Sequence, residues 1–435
     1  MAGFGCVHHI EIGVTDGPLT VDILKNRFTF TIRATRFTSL ADQWLLVKNN
    51  TRFLVTSLKS GDKDKLRNDP YLINWASKSD LDVSAENGHN VLPTKDSVFN
   101  IAFEVKDLDA SLRRLNSQGV ALSRPLRTER DVNGYVRTVT AKSCVGDVHH
   151  TLVYKQEYGG YFLPGFTVLD DHGSNSSSPK LDHPTQDSSM ERFDHVAVVV
   201  EMNTAMEVIG WYERCFGMKR FLINSDEDND EGLVLSTNDV GLRLRAMEYW
   251  KCAEVGLVSE EHSDSPLSSS RLSMVIAEGM PPVPGSTEEN QVEAWMRTHG
   301  GPGVQHIAIT CADIKRTVCS LRQTGVEFAQ PPPPAYYTKV GRLNDIIRAG
   351  EDVEHLQRNG ILIDTEADGI HSVPYSSNNE KVRRKESYLL QIFTKPMLSS
   401  DPFFLEFIQR EGATGFGSGN VTALYRSVQA YIVNN

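Results

Sequence analysis

The chain has 435 residues, 40% hydrophobic and 23% charged, which is enough for more than one domain with its own core. Its net charge of −11 argues against nucleic acid or an anionic membrane as the main partner, and no apolar run approaches the roughly 20 residues of a membrane helix. The six cysteines (Cys6, Cys144, Cys215, Cys252, Cys311, Cys319) form no CxxC pair and read as reduced thiols of an intracellular protein, while Glu11, Asp16 and Asp22 speak against a secretory or Arg-rich leader.

The first predicted element is a strand, VHHIEIGV (Val7–Val14). The stretch FNIAFEVKDLDASLRRLNSQGV (Phe99–Val120) then opens with an alternating apolar strand and reaches Asp107, a residue suited to cap a helix. That helix carries Leu108, Leu112 and Leu115 at core spacing and stops at Gly-Val. A polar Ser/Pro stretch, His172–Met190, reads as a linker. It divides the chain into an N-terminal module over 1–170, a connection over 171–190 and a C-terminal module over 191–435. After it the pattern recurs. FDHVAVVV (Phe193–Val200) repeats the first strand, and a helix follows over Thr204–Phe216 with Ala205, Val208, Ile209, Tyr212 and Phe216 on one side. QHIAITCADIKRTVCSLRQTGV (Gln305–Val326) runs without a gap against Phe99–Val120, with Asp313 in the place of Asp107 and Ile314, Val318 and Leu321 forming the core stripe. The proline stretch Pro331–Pro334 reads as a rigid connection. The fold class is therefore α+β: two tandem modules, each of paired βαβββ units, curled into open barrel-like sheets with an inward-facing pocket.

Strand period says which residues look inward. His195 lies in FDHVAVVV, His306 in QHIAIT and Glu406 in FFLEFIQR, each within an apolar strand. A carboxylate in such a place is costly unless it is paired, hydrogen-bonded or bound to a metal. Taken singly, each residue reads as a satisfied core histidine or an ion-paired glutamate. Together they make the two-histidine, one-carboxylate set that holds non-haem Fe(II) and leaves positions open for substrate and O₂. The internal repeat is asymmetric: His9 matches His195, but Asn100 stands opposite His306 and Thr151 roughly opposite Glu406. The N-terminal module thus reads as a metal-free, structural copy, and His8, His9, His149 and His150 as residues without a matching carboxylate partner. No GxSxG elbow, Walker loop or Rossmann GxGxxG follows a strand, and GFGSGN precedes no dinucleotide-type helix.

The phrases GGPGVQHIAI (Gly300–Ile309), YLLQIFTKP (Tyr388–Pro396), FFLEFIQR (Phe403–Arg410) and GFGSGN (Gly415–Asn420) resemble the 4-hydroxyphenylpyruvate dioxygenase family of vicinal-oxygen-chelate enzymes. YFLPGF (Tyr161–Phe166), PPAYYTK (Pro333–Lys339) and LQRNGILID (Leu356–Asp364) are similar to its hydroxymandelate-forming, dioxygenase-like branch in animals. The resemblance covers Phe193 to the C-terminus, and the N-terminal half more weakly. It implies vicinal-oxygen-chelate modules, with Fe(II) on His195, His306 and Glu406. It also implies a pocket of Ser273, Gln291, Gln305, Gln391, Phe393, Phe404, Phe416 and Asn420. Strand alternation independently places Gln391 with Phe393 and Phe404 with Glu406, but turns Gln305 away from His306 unless it lies at the strand mouth. Two residues depart from the family's ring-hydroxylating pattern. Val421 stands where a ring-stacking Phe is expected, and Met280, in GMPPVPG, is nearest to an expected pocket Asn.

The resemblance implies 4-hydroxyphenylpyruvate and O₂ as substrates, with oxidative decarboxylation releasing CO₂. Oxygen transfer to the benzylic carbon would give 4-hydroxymandelate, and transfer to the ring would give homogentisate. The departures at Val421 and Met280 favour hydroxymandelate, made in the mitochondrion for the coenzyme Q headgroup from tyrosine. A homogentisate-forming dioxygenase of tyrosine catabolism and a non-catalytic binding protein are the contrasting readings. The same resemblance allows a homodimer.

Overall fold

The computed structural model describes residues 4–59, 63–75, 93–169, 192–222, 227–228, 230–236, 241–249, 272–281, 290–338, 341–366, 387–413, 415–417 and 419–420. The 171–190 connection and Val421 lie outside them. Strands β1 (Phe4–Gly13), β2 (Thr31–Phe37), β3 (Ala41–Lys48), β4 (Thr51–Leu58), β5 (Ser97–Val105), β6 (Leu122–Asp131), β7 (Gly134–Lys142), β8 (His149–Tyr154) and β9 (Thr167–Val168) form one sheet. Its spatial order is β6-β7-β8-β5-β1-β4-β3-β2-β9. Strands β10 (Phe193–Val200), β11 (Met218–Phe221), β12 (Leu233–Ser236), β13 (Gly241–Tyr249), β14 (Ser273–Gly279), β15 (Gly303–Thr310), β16 (Leu362–Glu366), β17 (Ser387–Phe393) and β18 (Phe404–Glu411) form the second. Its order is β11-β13-β14-β10-β15-β18-β17-β16, with β12 paired to β13. The result is a mixed α/β fold of two curled half-barrel sheets, as the repeat predicts.

The centres of the two sheets are superposable in topology. β8-β5-β1-β4 in the first matches β18-β15-β10-β14 in the second. In both, the leading strands pair antiparallel (β1 with β5, β10 with β15) and the flanking pairs run parallel. The helices form where the repeat places them. Asp107 accepts a hydrogen bond from the backbone N–H of Ala110, and Asp313 from that of Arg316, satisfying helix donors that would otherwise be orphaned. The helices Leu108–Ser117 and Ile314–Gln323 bury Leu108 and Leu115, and Ile314, Val318 and Leu321, respectively. Both are followed by a glycine in the left-handed region, Gly119 (φ 66°) and Gly325 (φ 87°), which turns the chain back toward the sheet.

The sheets share one apolar core rather than sitting as beads on a string. Phe53 meets Phe193 at 5.3 Å between ring centroids, Phe28 stacks near Phe407 at 6.4 Å, and Phe103 lies 6.0 Å from Phe216. Tyr212, on the helix Ala205–Phe216, places its hydroxyl 2.8 Å from His150 Nε2 and 3.0 Å from Ser143. Arg114 donates to the carbonyls of Arg214 and Glu213, at the negative end of that helix. A buried charged cluster completes the contact. His299 Nδ1 lies 2.5 Å from Asp401 and its Nε2 3.6 Å from Asp147, whose other oxygen accepts from Ser97.

Burial alone would lower the pKa of His299; the Asp147 and Asp401 carboxylates outweigh it and raise the value from 6.5 to about 9. A raised imidazole pKa stabilises the fold fully below the unfolded value near 6.5, and that contribution is lost as pH rises through about 9. His299→Gln should therefore cost about 3 kcal/mol at neutral or mildly acidic pH, because it removes the imidazolium that lies between the buried Asp401 and Asp147 carboxylates. The variant's melting temperature should also fall less than the wild type's between these two pH values, as thermal denaturation at several pH values would reveal.

Candidate metal centre

Cross-strand neighbours share a face of a sheet, so register alone assembles the site. His195 sits opposite Ser273 on one side and Ala308 on the other, Ala308 opposite Glu406, and Glu406 opposite Phe393. His306 lies two residues before Ala308 and therefore on the same face, opposite Ala197 and Phe404. The small side chains of Ala197 and Ala308 leave the space into which the neighbouring imidazoles and carboxylate project.

The donors converge. His195 Nε2 lies 3.2 Å and His306 Nε2 3.4 Å from Glu406 Oε2, and all three donor atoms fall within 4.8 Å of one another. Donors of one ion at ~2.0–2.2 Å stand about this far apart. His195 and Glu406 are buried, and His306 nearly so. The second carboxylate oxygen, Glu406 Oε1, is buried with no hydrogen-bond partner among the described residues. An orphaned anionic oxygen beside two imidazoles is what a divalent cation satisfies, so these residues fit a metal of the two-histidine, one-carboxylate type. Among the described residues this is the only converging group of three His, Cys, Asp or Glu donors.

The ionisation of these groups follows from their own mutual charges. Burial would raise the Glu406 pKa, but the charge and hydrogen bond of His195, with those of His306, hold it down at about 2. His195 is driven down by burial yet raised to about 9 by Glu406 and by its bond to Asp194. His306 is lowered, mainly by burial. The pocket thus keeps a carboxylate anion in place despite its desolvation.

Sequence reasoning missed the residues that aim the ligands. Asp194 Oδ1 lies 2.9 Å from His195 Nδ1, and Arg410 grips both Asp194 oxygens at 2.8 and 2.7 Å. This carboxylate fixes the imidazole so that Nε2 faces Glu406. The signal was present: Asp194 is a carboxylate in the same apolar strand as His195, and Arg410 follows Glu406 by four residues along β18. Arg410 also donates to the carbonyl of Gly415, and its guanidinium lies 5.8 Å from the Phe416 ring. Phe416 in turn stands edge-on to His195 at 4.8 Å. One arginine therefore ties the ligand-orienting carboxylate to the GFGSGN turn.

The remaining expected pocket residues are placed unevenly. Phe404 stacks on His306 at 4.8 Å, and Phe393 lies 6.3 Å from His306 and 6.2 Å from Phe404. Gln305 reaches His306 Nδ1 at 3.2 Å despite its strand parity. The reason is a β-bulge: the register slips between Ala197↔His306 and Val198↔Val304, leaving Gln305 unpaired and re-aimed. Gln391 is buried, shares a face with Phe393, and lies 3.4 Å from the Asn420 amide. A Cβ at Gly417 (φ 67°) would meet Gln391 Oε1 at 2.2 Å, so only glycine lets the turn close on this glutamine. Asn420 is also 2.6 Å from the Tyr336 hydroxyl, a contact the motif PPAYYTK did not announce. Ser273 is half-buried beside His195. Gln291 opens the helix Gln291–His299 and makes no hydrogen bond to the triad among the described residues. Met280 follows β14, its N–H bonded to the Gly241 carbonyl. In Asp194→Asn, loss of the anionic partner of His195 should weaken divalent metal binding by about 10- to 100-fold, as measured by competition with a chromophoric chelator.

Comparison with known proteins places this site in context. Residues 192–345, which contain His195 and His306, match the glyoxalase/bleomycin resistance protein/dioxygenase superfamily. A human protein called 4-hydroxyphenylpyruvate dioxygenase-like protein is 30% identical over 375 residues, covering 86% of this chain and 85% of the relative. The 4-hydroxyphenylpyruvate dioxygenase of Caenorhabditis briggsae is 29% identical over 350 residues, covering 80% of this chain and 75% of that one. Among solved structures, a mutant 4-hydroxymandelate synthase from Streptomyces coelicolor has the same fold. Its TM-score is 0.66 at 22% identity, covering 99% of this chain and 100% of that one. With such relatives spanning most of both chains, and with paired curled sheets around a two-histidine, one-carboxylate site, this chain belongs to the 4-hydroxyphenylpyruvate dioxygenase-like family.

Proposed function

We propose that this protein is an Fe(II)-dependent dioxygenase that converts 4-hydroxyphenylpyruvate and O₂ to 4-hydroxymandelate and CO₂. The observation that carries the reading is the buried convergence of His195, His306 and Glu406, with Glu406 Oε1 left without a hydrogen-bond partner among the described residues. These three residues would hold the iron. When bound, Fe(II) supplies an open-sided Lewis-acidic, redox-active centre for an α-keto acid and O₂.

The chain's own residues do the rest. Arg410 and Asp194 fix the His195 ring, and Gln305 accepts from the Nδ1–H of His306, so both imidazoles present Nε2 to the centre. Phe393 and Phe404 give an aromatic wall beside His306 on which the substrate ring can pack. Gln391 and Asn420, held by Tyr336, offer polar groups behind that wall. Ser273, beside His195, and Gln291 complete the proposed pocket. Product choice depends on which substrate carbon lies nearest the oxidising centre, and displacements of ~1 Å decide such outcomes. Val421 and Met280 support hydroxymandelate, because neither supplies the ring stacking nor the polar contact that would hold the ring for attack. The proposed setting is the mitochondrion, in assembly of the coenzyme Q headgroup, with the N-terminal sheet free of metal.

Anaerobic reconstitution with Fe(II), followed by substrate and O₂, tests this by product chromatography: hydroxymandelate with stoichiometric CO₂ supports it, and absence of turnover in iron-loaded protein contradicts it. His195→Ala, His306→Ala and Glu406→Ala should each abolish turnover, whereas His9→Ala, which alters the matching position of the other sheet, should retain it.

Val421→Phe should shift product toward homogentisate. A stacked ring contributes ~0.5–1.5 kcal/mol, enough for a several-fold change in a branching ratio. The double variant with Met280→Asn should shift it further. An unchanged ratio in a double variant that still binds iron and consumes O₂ would remove these positions from the account of product choice.

A further inference from the structure

The first sheet carries a cavity where the second carries its metal site. Its walls include Glu11, Asn100, Tyr71, Thr138, Thr140 and Arg124. The counterparts of His306 and Glu406, Asn100 and Thr151, belong there to a hydrogen-bonded network that includes Glu11. Asn100 donates to Glu11 Oε2 at 2.9 Å and to Thr151 at 3.0 Å, and Thr151 lies 3.0 Å from Thr140.

The feature this network does not explain is Arg124. Its side chain belongs to a residue only 4% exposed, and its hydrogen bond is to a neutral acceptor, the backbone carbonyl of Asp69. No carboxylate forms a salt bridge with it among the described residues. The two nearby carboxylates are engaged elsewhere. Asp69 pairs with Arg36 at 2.6 Å and accepts from the N–H groups of Tyr71 and Leu72. Glu11 accepts from Thr56 at 2.6 Å and from Asn100. Burial raises its pKa to about 7, while those hydrogen bonds and the charge of Arg124 work against the rise, so Glu11 is only partly ionised at neutral pH. Asp69 and Glu11 act on the Arg124 guanidinium through space, yet burial outweighs them and lowers its pKa to about 10; a buried guanidinium with no carboxylate in contact is costly. Two further donors support the same conclusion: the Tyr71 and Thr138 hydroxyls, both lining the cavity, are buried without a hydrogen-bond partner among the described residues, and Thr138 is 3% exposed.

We propose that this cavity is a binding site for a single small anion of chloride size, held by Arg124 and the hydroxyls of Tyr71 and Thr138. The free volume of about 20 Å³ admits one small particle. A lone water would satisfy the hydroxyls but add no charge to the partial compensation that Asp69 and Glu11 give the guanidinium. The site stands apart from the metal centre and does not depend on the proposed reaction.

The test uses the full chain in halide-free gluconate buffer at constant ionic strength, with chloride or bromide added from zero to about 0.2 M. The melting temperature should rise saturably by a few degrees with either halide. Crystals grown in bromide should show one anomalous peak between Arg124, Tyr71 and Thr138. Arg124→Met should lose both responses. Because that variant can fail to fold, the milder pair Tyr71→Phe with Thr138→Val should retain the fold and weaken the halide midpoint by about tenfold. No halide dependence, a cavity holding only water, or an anomalous peak without saturable stabilisation would each overturn the proposal.

Discussion

The buried carboxylate of Glu406 is the constraint on which the rest of this structure depends. Removing an anion from water costs several kcal/mol even after relaxation, and here one oxygen has two imidazoles within 3.4 Å while the other has none. Everything around it limits that cost. Four adjacent strands put His195, Ala308, Glu406 and Phe393 in one cross-strand row, with His306 on the same face. Slipping any strand by one residue would turn its ligand into the opposite layer. The shared core and the charged cluster at His299 brace the sheet against its neighbour, and so oppose such a slip.

The second layer of interactions turns proximity into orientation. Arg410, Asp194 and His195 form a chain of charge-assisted hydrogen bonds, and the same guanidinium reaches the carbonyl of Gly415. The aim of a ligand and the placement of the GFGSGN turn are thereby coupled through one side chain. On the far side, Asn420 makes a similar link from the end of that turn: its amide donates to the Tyr336 hydroxyl and the Ile363 carbonyl and accepts from the Asp364 N–H of β16. The first sheet shows what the same scaffold does without the ligands: at the positions of His306 and Glu406, Asn100 and Thr151 bond to each other, and a different charge, Arg124, faces the cavity.

Much of this was legible in the amino-acid sequence because duplication wrote it twice. The gap-free match of Phe99–Val120 with Gln305–Val326 located two strands, two capping aspartates and two helices, and the strand period set His195, His306 and Glu406 facing inward. Asp194 and Arg410 escaped because side-chain pairing across strands depends on register, which a linear pattern does not reveal. Gln305 ran against its parity because a bulge adds a residue that periodicity cannot count. The Tyr336–Asn420 contact joins segments 84 residues apart, and no local spacing connects them.

The central claim is that these three side chains hold iron. Crystals grown anaerobically with Fe(II), with anomalous data collected on both sides of the iron absorption edge, test it most directly. The account predicts one iron per chain, bound by His195 Nε2, His306 Nε2 and Glu406, with no iron in the first sheet. A site holding no iron at saturating Fe(II), or iron bound by other residues, would contradict it.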